Sequence, residues 1–273
     1  MIDTLFQFAA ASVQGRDHVV LGKNNQDALL LHTDPDGALL LVADGCGSGA
    51  FTESGAQIGI RLFGAALRRE VLFAKTQPEN AADWQLLLNE ATNSLVKSLQ
   101  SMNKRFEPLN VDPHDLFLFT LVGAWIGPKQ TVLFACGDGY WALNGTLNKL
   151  APHEGNIPEY VGYALEGTDV KVRALAALPT ADVKTLMVGT DGLDMWPNIA
   201  AQPMPGKTDQ VGALEQFWTD AQYFQNPDAL RRKLSLINRT MRMAHWETKE
   251  LEKIPGLLKD DTTLVVARRR DHP

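Results

Sequence analysis

Apolar residues along this chain fall into two recurrent patterns: short runs bounded by turn residues, and longer stretches with three- and four-residue spacing. The runs Phe6–Val13, Ala28–His32, Ala38–Ala43, Leu116–Ile126, Thr131–Cys136, Leu186–Gly189 and Thr262–Ala267 are rich in Val, Leu and Phe and predict β-strands. Asp36-Gly37 separates two of these runs and Gly127-Pro128 separates two more, each a hairpin signal, so the pairing should be largely antiparallel.

From Ala82 to Phe106 the apolar positions Trp84, Leu87, Leu88, Ala91, Leu95, Leu99, Met102 and Phe106 keep helical spacing and mark a stripe buried in a core. A second helix is expected from about Gln57 to Lys75. A third should start with Asn226 as N-cap and Pro227 at the first helical position, carrying Leu230, Leu234, Ile237 and Met241 on one face. Trp196–Gly212, with its Pro and Gly, reads as an irregular insertion; it and Thr248–Lys259 are expected to form loops around a cleft. No internal repeat, low-complexity tract or linker stands out. The expectation is a single α+β domain over residues 1–273, with sheet strands contributed by both ends of the chain.

Composition narrows the class of partner. With 273 residues, 45% of them hydrophobic and 21% charged, the chain can bury a substantial core without disulfide support. Its net charge of −6 disfavours nucleic acid and anionic lipid as partners, and Arg268, Arg269 and Arg270 read as a solvated tail. No apolar run approaches the ~18 residues of a membrane span, and the start Met1–Phe6 lacks the basic region of a signal peptide. Cys46 and Cys136 lie far apart and suggest reduced thiols, so a cytoplasmic setting is expected.

The chemistry is signalled by where the acids sit. Random placement of 20 Asp and 22 Gly would give about two Asp-Gly steps, whereas four occur. One lies at the first hairpin; Asp44-Gly45, Asp138-Gly139 and Asp191-Gly192 each follow an apolar strand, while Asp27 and Asp260-Asp261 come just before strands. In an antiparallel sheet these ends share one edge, so the acids can gather into one cluster. Clustered carboxylates repel unless a cation neutralises them. An all-oxygen set with no zinc-spaced Cys or His suits Mg²⁺ or Mn²⁺.

Those same residues resemble the metal-dependent Ser/Thr protein phosphatases of type 2C, in their short bacterial branch. Asn25-Gln26-Asp27-Ala28 resembles the first acidic motif, and Val42-Ala43-Asp44-Gly45-Cys46-Gly47-Ser48-Gly49 the second, followed by Glu53-Ser54-Gly55-Ala56. Phe119-Thr120-Leu121, Gly137-Asp138-Gly139, Thr190-Asp191-Gly192-Leu193 and Asp260–Val266 follow in the family's order. The resemblance implies a four-layer αββα sandwich, two antiparallel β-sheets flanked by helices, with a two-metal site at one edge. It further implies that Asp44 bridges two Mg²⁺ or Mn²⁺ ions, with the Gly45 carbonyl on one of them. Asp191 and Asp260 would hold the other ion, and Asp27 would contact the second metal directly or through water. Asp138 matches a position that in some members helps hold a weaker third ion, and Asp261 aligns with a supporting residue.

Three positions depart from the family pattern. Gly22 stands where most members carry a phosphate-binding Arg, leaving His18 and Lys23 as candidates to recognise the substrate phosphate. Gln26 replaces the usual Glu, and Cys46 stands where some animal members carry a His that is a candidate general acid. The implied activity is hydrolysis of phosphoserine and phosphothreonine in proteins by a metal-activated water, with Asp44 and Asp191 as the central acids and the target of a cognate kinase as substrate. Two alternatives are a phosphatase-like regulatory module that binds without turnover, and a phosphatase for small phosphorylated metabolites.

Overall fold

The computed structural model describes residues 2–74, 76, 78–150 and 158–270. A one-turn helix α1 (Ile2–Leu5) runs into β1 (Phe6–Val13), and α2 (Arg16–Leu21) leads to the hairpin β2 (Asp27–Asp34) and β3 (Gly37–Asp44). The long helices α3 (Thr52–Phe73) and α4 (Ala81–Phe106) follow, then α5 (Pro113–Phe117), β4 (Leu121–Ile126), β5 (Gln130–Cys136), β6 (Gly139–Leu143), β7 (Thr146–Leu150), β8 (Arg173–Pro179) and β9 (Thr185–Gly189). Helices α6 (Trp196–Ile199), α7 (Gln216–Thr219), α8 (Gln222–Gln225) and α9 (Ala229–Ile237) precede the hairpin β10 (Met241–His245) and β11 (Glu250–Ile254) and the closing strand β12 (Thr262–Arg269).

The strands form two five-stranded antiparallel sheets, in the orders β1-β12-β9-β6-β7 and β2-β3-β4-β5-β8, with β10-β11 as a separate pair. The first and last strands pair along their length, Phe6 opposite Arg269 through Val13 opposite Thr262. Strand β3 shows why the architecture is layered. It is apolar throughout from Ala38 to Ala43 because both its faces are covered. Leu40 and Val42 join Val188, Val265 and Ala267 of the other sheet in a core between the sheets. Leu39, Leu41 and Ala43 face Ile60, Phe63, Leu88 and Leu95 of α3 and α4. On the far side, Met187, Leu264 and Val266 pack under Trp196, Phe217, Leu230 and Leu234. Helices, sheet, sheet, helices is the αββα order that the family resemblance implies.

Several local expectations need correction. The run Leu116–Ile126 is not one strand: Leu116 and Phe117 end α5, which Asp112 caps and Pro113 opens, and only Leu121–Ile126 forms β4. The helix expected from Gln57 starts at Thr52 and ends at Phe73, and Lys75 lies outside the described residues. Helix α9 takes Asp228 at its N-cap position and stops at Ile237, so Met241 belongs to β10 and not to the helical face. The first hairpin turns at Pro35-Asp36, where the Asp34 carboxylate accepts from the backbone N–H groups of Asp36 and Gly37. Trp196–Gly212 is packed rather than looped out: Trp196, Ile199, Met204 and Val211 are buried, and the Trp196 indole donates to the Gly212 carbonyl at 3.1 Å. Thr248–Lys259 contains β11, a strand set off by its turn. Among the described residues no helix is long and apolar enough to cross a membrane.

Candidate metal centre

The acids gather at one edge of the sandwich because strands of both sheets start or stop there. Asp27 opens β2 directly opposite Asp44, which closes β3. Asp191 follows β9 and Asp260 precedes β12, two strands that pair, while Asp138 sits in the turn between β5 and β6. The turn after Asp191 is tight: a Cβ at Gly192 would lie 1.9 Å from the Asp261 carbonyl oxygen. Glycine there lets the Asp191 and Asp260 segments pack against each other.

Hydroxyls brace the acids at this edge, and one of them, Thr190 on Asp27, crosses between the sheets. The Thr190 hydroxyl donates to Asp27 at 2.8 Å, Thr190 and Thr263 bond through backbone and side chain, and Thr263 donates to Ser12 at 2.7 Å. Thr120 accepts from the Asp44 N–H at 3.2 Å and donates its own N–H to the Asp44 carbonyl at 2.9 Å. These threonines stand inside the motifs quoted above, but nothing in sequence spacing shows that they orient the acids.

Electrostatics at this edge is unfavourable without a cation. Burial, then the charges of Asp191, Asp27, Asp260 and Asp138, hold the Asp44 carboxyl well above the usual range. Burial and the neighbouring Asp261 and Asp191 do the same to Asp27, against hydrogen bonds from Thr263 and Thr190. Burial, with Asp138 and Asp260 beside it, pushes Asp191 up to about 7. Asp138 is raised as well, chiefly by burial. One oxygen each of Asp27 and Asp138 is buried with no hydrogen-bond partner, and Lys149 is engaged by Asp194 at 2.7 Å. The set therefore fits a hard divalent cation: oxygen donors, excess negative charge and unpartnered buried lone pairs.

Asp261 behaves differently from its neighbour. Its carboxylate accepts from the Gly15 N–H at 2.6 Å, the Gln26 N–H at 2.5 Å and His18 Nδ1 at 2.8 Å. His18, Asp260 and Asp261 can bring one ligand atom each within 4.8 Å of one another, yet three donors already occupy most of the acceptor capacity of Asp261. It acts as a clasp between the start of the chain and the start of β12. With Nδ1 committed to Asp261, His18 turns Nε2 toward Asp260, 3.8 Å away.

Lys23 donates to the Gly47 carbonyl, in the loop after Asp44-Gly45. Gly22 ends α2 in the left-handed conformation, φ 68°, a backbone reason for glycine where most members of the resembled family carry Arg. Gln26 is buried and donates to the Thr52 hydroxyl at 2.8 Å. Gly45 accepts no Cβ without meeting the Gln26 and Thr52 carbonyls, at 2.9 Å. Burial raises the Cys46 thiol, but hydrogen bonds from Ser48, Tyr160 and the Gly49 backbone outweigh it and leave it lowered. Both cysteines are free.

A fold of this kind with acids gathered at one sheet edge defines a class, the metal-dependent protein phosphatases, and the comparisons agree. The protein phosphatase 2C family model matches residues 14–242, so the chain belongs to the protein phosphatase 2C family. Among solved structures, the serine/threonine phosphatase Stp1 from Staphylococcus aureus is 15% identical with a TM-score of 0.58, over 98% of this chain and 96% of that one. The Mycobacterium tuberculosis serine/threonine phosphatase PstP/Ppp is 16% identical with a TM-score of 0.56, over 98% and 100%. The catalytic domain of PstP in complex with two manganese ions is 18% identical with a TM-score of 0.54, over 98% and 99%. No curated protein matches the sequence.

Proposed function

We propose that this chain, acting as a single domain over residues 1–273, hydrolyses phosphoserine and phosphothreonine in cytoplasmic proteins, using Mg²⁺ or Mn²⁺ held at the acidic edge. The observation that carries this reading is the convergence of Asp27, Asp44, Asp138, Asp191 and Asp260, with buried carboxylate oxygens left unpartnered. Asp44 and the Gly45 carbonyl would hold two ions between them, Asp191 and Asp260 one side, Asp27 the other, and Asp138 a third and weaker ion. When bound, the cation pair supplies a water of lowered pKa and positive charge against the phosphoryl oxygens.

The chain's own residues divide the remaining work. The carboxylates would hold the cations at the sheet edge; the Thr190 hydroxyl orients the Asp27 carboxylate, and Thr120 fixes the Asp44 backbone through its N–H and carbonyl. His18, oriented by Asp261, and Lys23, tethered at the Gly47 carbonyl, stand at the mouth as donors to the substrate phosphate in place of an Arg at position 22. No protein nucleophile is required. Cys46 is not assigned one, since its thiol is shared with Ser48 at 3.2 Å and no base holds it as thiolate. The substrates are phosphorylated by a serine/threonine kinase acting in the same compartment. A module that binds without turnover is the less favoured reading, because the acids remain assembled despite Gly22 and Gln26.

Calorimetric titration with Mn²⁺ tests the site directly. Wild type should bind two ions, and Asp44→Asn, which removes the shared ligand, should lose the tighter one. Unchanged titration of the variant would overturn the assignment of Asp44.

A further inference from the structure

Exposed large apolar side chains recur on two elements, α2 and the β10–β11 hairpin. Val19, Val20 and Leu21 on α2, and Met243, Trp246 and Leu251 on the β10–β11 hairpin, are between 44% and 87% exposed. Between these two elements runs a groove of about 490 Å³, lined by Arg16, Asp17, Val19 and Val20 on the helix side and by Arg242 and Lys253 on the hairpin.

The lining of the groove is net positive in a chain whose net charge is −6. Arg16 is matched by Asp17, 2.9 Å away, and donates to the Gly256 carbonyl. Arg242 and Lys253 are directly opposite partners in the hairpin register and so share one face. Among the described residues neither side chain meets a carboxylate or makes a hydrogen bond. Like charges directly opposite each other weaken a ladder, and a lone two-stranded pair is marginal to begin with. The acids of the hairpin strands, Glu250 and Glu252, lie on the other face, where Glu252 bonds His245 at 2.9 Å and Met241 packs over Gly206, and Glu247 sits in the turn beyond them. The hairpin thus turns two unmatched cations, followed by Ala244 and Leu251, toward the groove of a chain whose net charge is −6.

We propose that this groove receives the stretch of phosphoprotein substrate flanking the phosphorylated residue and selects acidic side chains interspersed with apolar ones. The inference rests on the phosphatase reading and names the substrate preference of that site. Only α2 separates groove from acids: His18 bonds Asp261, and the next two residues line the groove. A helix is about 10 Å thick, and an extended chain covers about 3.3 Å per residue. The selected acids therefore lie about three to five positions from the phosphorylated residue.

The test is fluorescence anisotropy with labelled phosphothreonine peptides in EDTA, so that no turnover is needed. One peptide carries Glu and Leu at three to five positions from the phosphothreonine, on either side in turn, and the others carry Gln or Lys there. The Glu peptide should bind about tenfold more tightly than the Gln peptide at low salt, and the difference should shrink as salt rises. Arg242→Glu with Lys253→Glu should abolish or invert the preference, while hydrolysis of a small aryl phosphate stays at the wild-type rate. Arg242→Gln alone, which removes one of the two opposed cations and relieves their repulsion across the ladder, should fold well and cut the preference to about threefold. Equal binding of Glu and Gln peptides, or a preference that survives the double reversal, would overturn the proposal. So would tighter binding of anionic vesicles than of the Glu peptide, or self-association that the reversal abolishes. Absence of aryl phosphate hydrolysis with Mn²⁺ would instead overturn the phosphatase reading, leaving the binding result to decide the groove.

Discussion

Removing the cations should make this protein less stable as the pH rises from acid to neutral, opposite to what paired carboxylates do, and Asp191 sets a lower bound on the effect. Its carboxyl titrates near 3.8 when unhindered and is pushed up to about 7 in the folded, ion-free chain. Between those values the native state holds a proton that the unfolded state has released, so each unit of pH costs about 1.4 kcal/mol of stability. Two of the three units lie above pH 5, which gives about 3 kcal/mol between pH 5 and pH 7.5. For 273 residues the unfolding entropy makes that a fall of about 5 °C in Tm. Asp27 and Asp44 are raised as well and act in the same direction. The assay is thermal unfolding in EDTA at pH 5 and pH 7.5 for wild type and Asp191→Asn. The variant, which cannot ionise there, should overtake wild type in relative Tm by about 5 °C across this range. Mn²⁺ should restore wild type at pH 7.5 far more than at pH 5. A wild-type Tm that rises with pH in EDTA relative to Asp191→Asn would refute the crowding of carboxylates on which the site rests.

Other consequences can be checked separately. Asp261→Ala deprives Gly15, Gln26 and His18 of their shared acceptor and should cost about 3 kcal/mol in denaturant unfolding, with a loss of kcat that Asp261→Asn partly rescues. His18→Ala should lower kcat/KM on a phosphothreonine peptide by about 10- to 100-fold with Tm little changed; an unaltered kcat/KM would remove His18 from the phosphate mouth. Gly55→Ala would put a Cβ 1.6 Å from the Leu116 carbonyl oxygen, between α3 and α5. It should destabilise by about 2–4 kcal/mol, whereas Gly22→Ala, which meets nothing within 4 Å but sits at φ 68°, should cost about 1 kcal/mol.

The sheets were legible where burial on both faces makes a strand uniformly apolar, as in Leu39–Ala43, and where turn residues bracket it. Strands built otherwise escaped. Thr146–Leu150 is an exposed edge with polar alternation, Arg173–Pro179 is rich in Ala, and the β10–β11 hairpin is almost entirely solvent-facing. The run from Leu116 to Ile126 misled because its residues are buried for different reasons, first under a helix end and then within a strand. Met241 kept the helical period of Leu230, Leu234 and Ile237 by coincidence, past the point where Asn238 ends the helix.

At the site, the acids were legible because three of the four Asp-Gly steps follow strands while Asp27 and Asp260 come where strands begin, and antiparallel pairing brings such ends to one edge. The hidden part was the support. Asp260 and Asp261 are adjacent and identical in type, yet one faces the cluster and the other is consumed by three donors from the chain's beginning. Only the tertiary meeting of α2 with the start of β12 distinguishes them, and local sequence carries no record of it. The groove beside α2 was hidden for the same reason, since its walls are more than 200 residues apart in the chain.

The measurement that bears most directly on the central claim is turnover of a phosphothreonine peptide and an aryl phosphate by purified protein, with EDTA, Mg²⁺ and Mn²⁺ in parallel and Asp44→Asn beside wild type. The account predicts turnover that requires the cation and falls by at least about a thousandfold in a variant that still folds. Undiminished turnover in EDTA or in Asp44→Asn, or none with any cation from folded wild type, would contradict it.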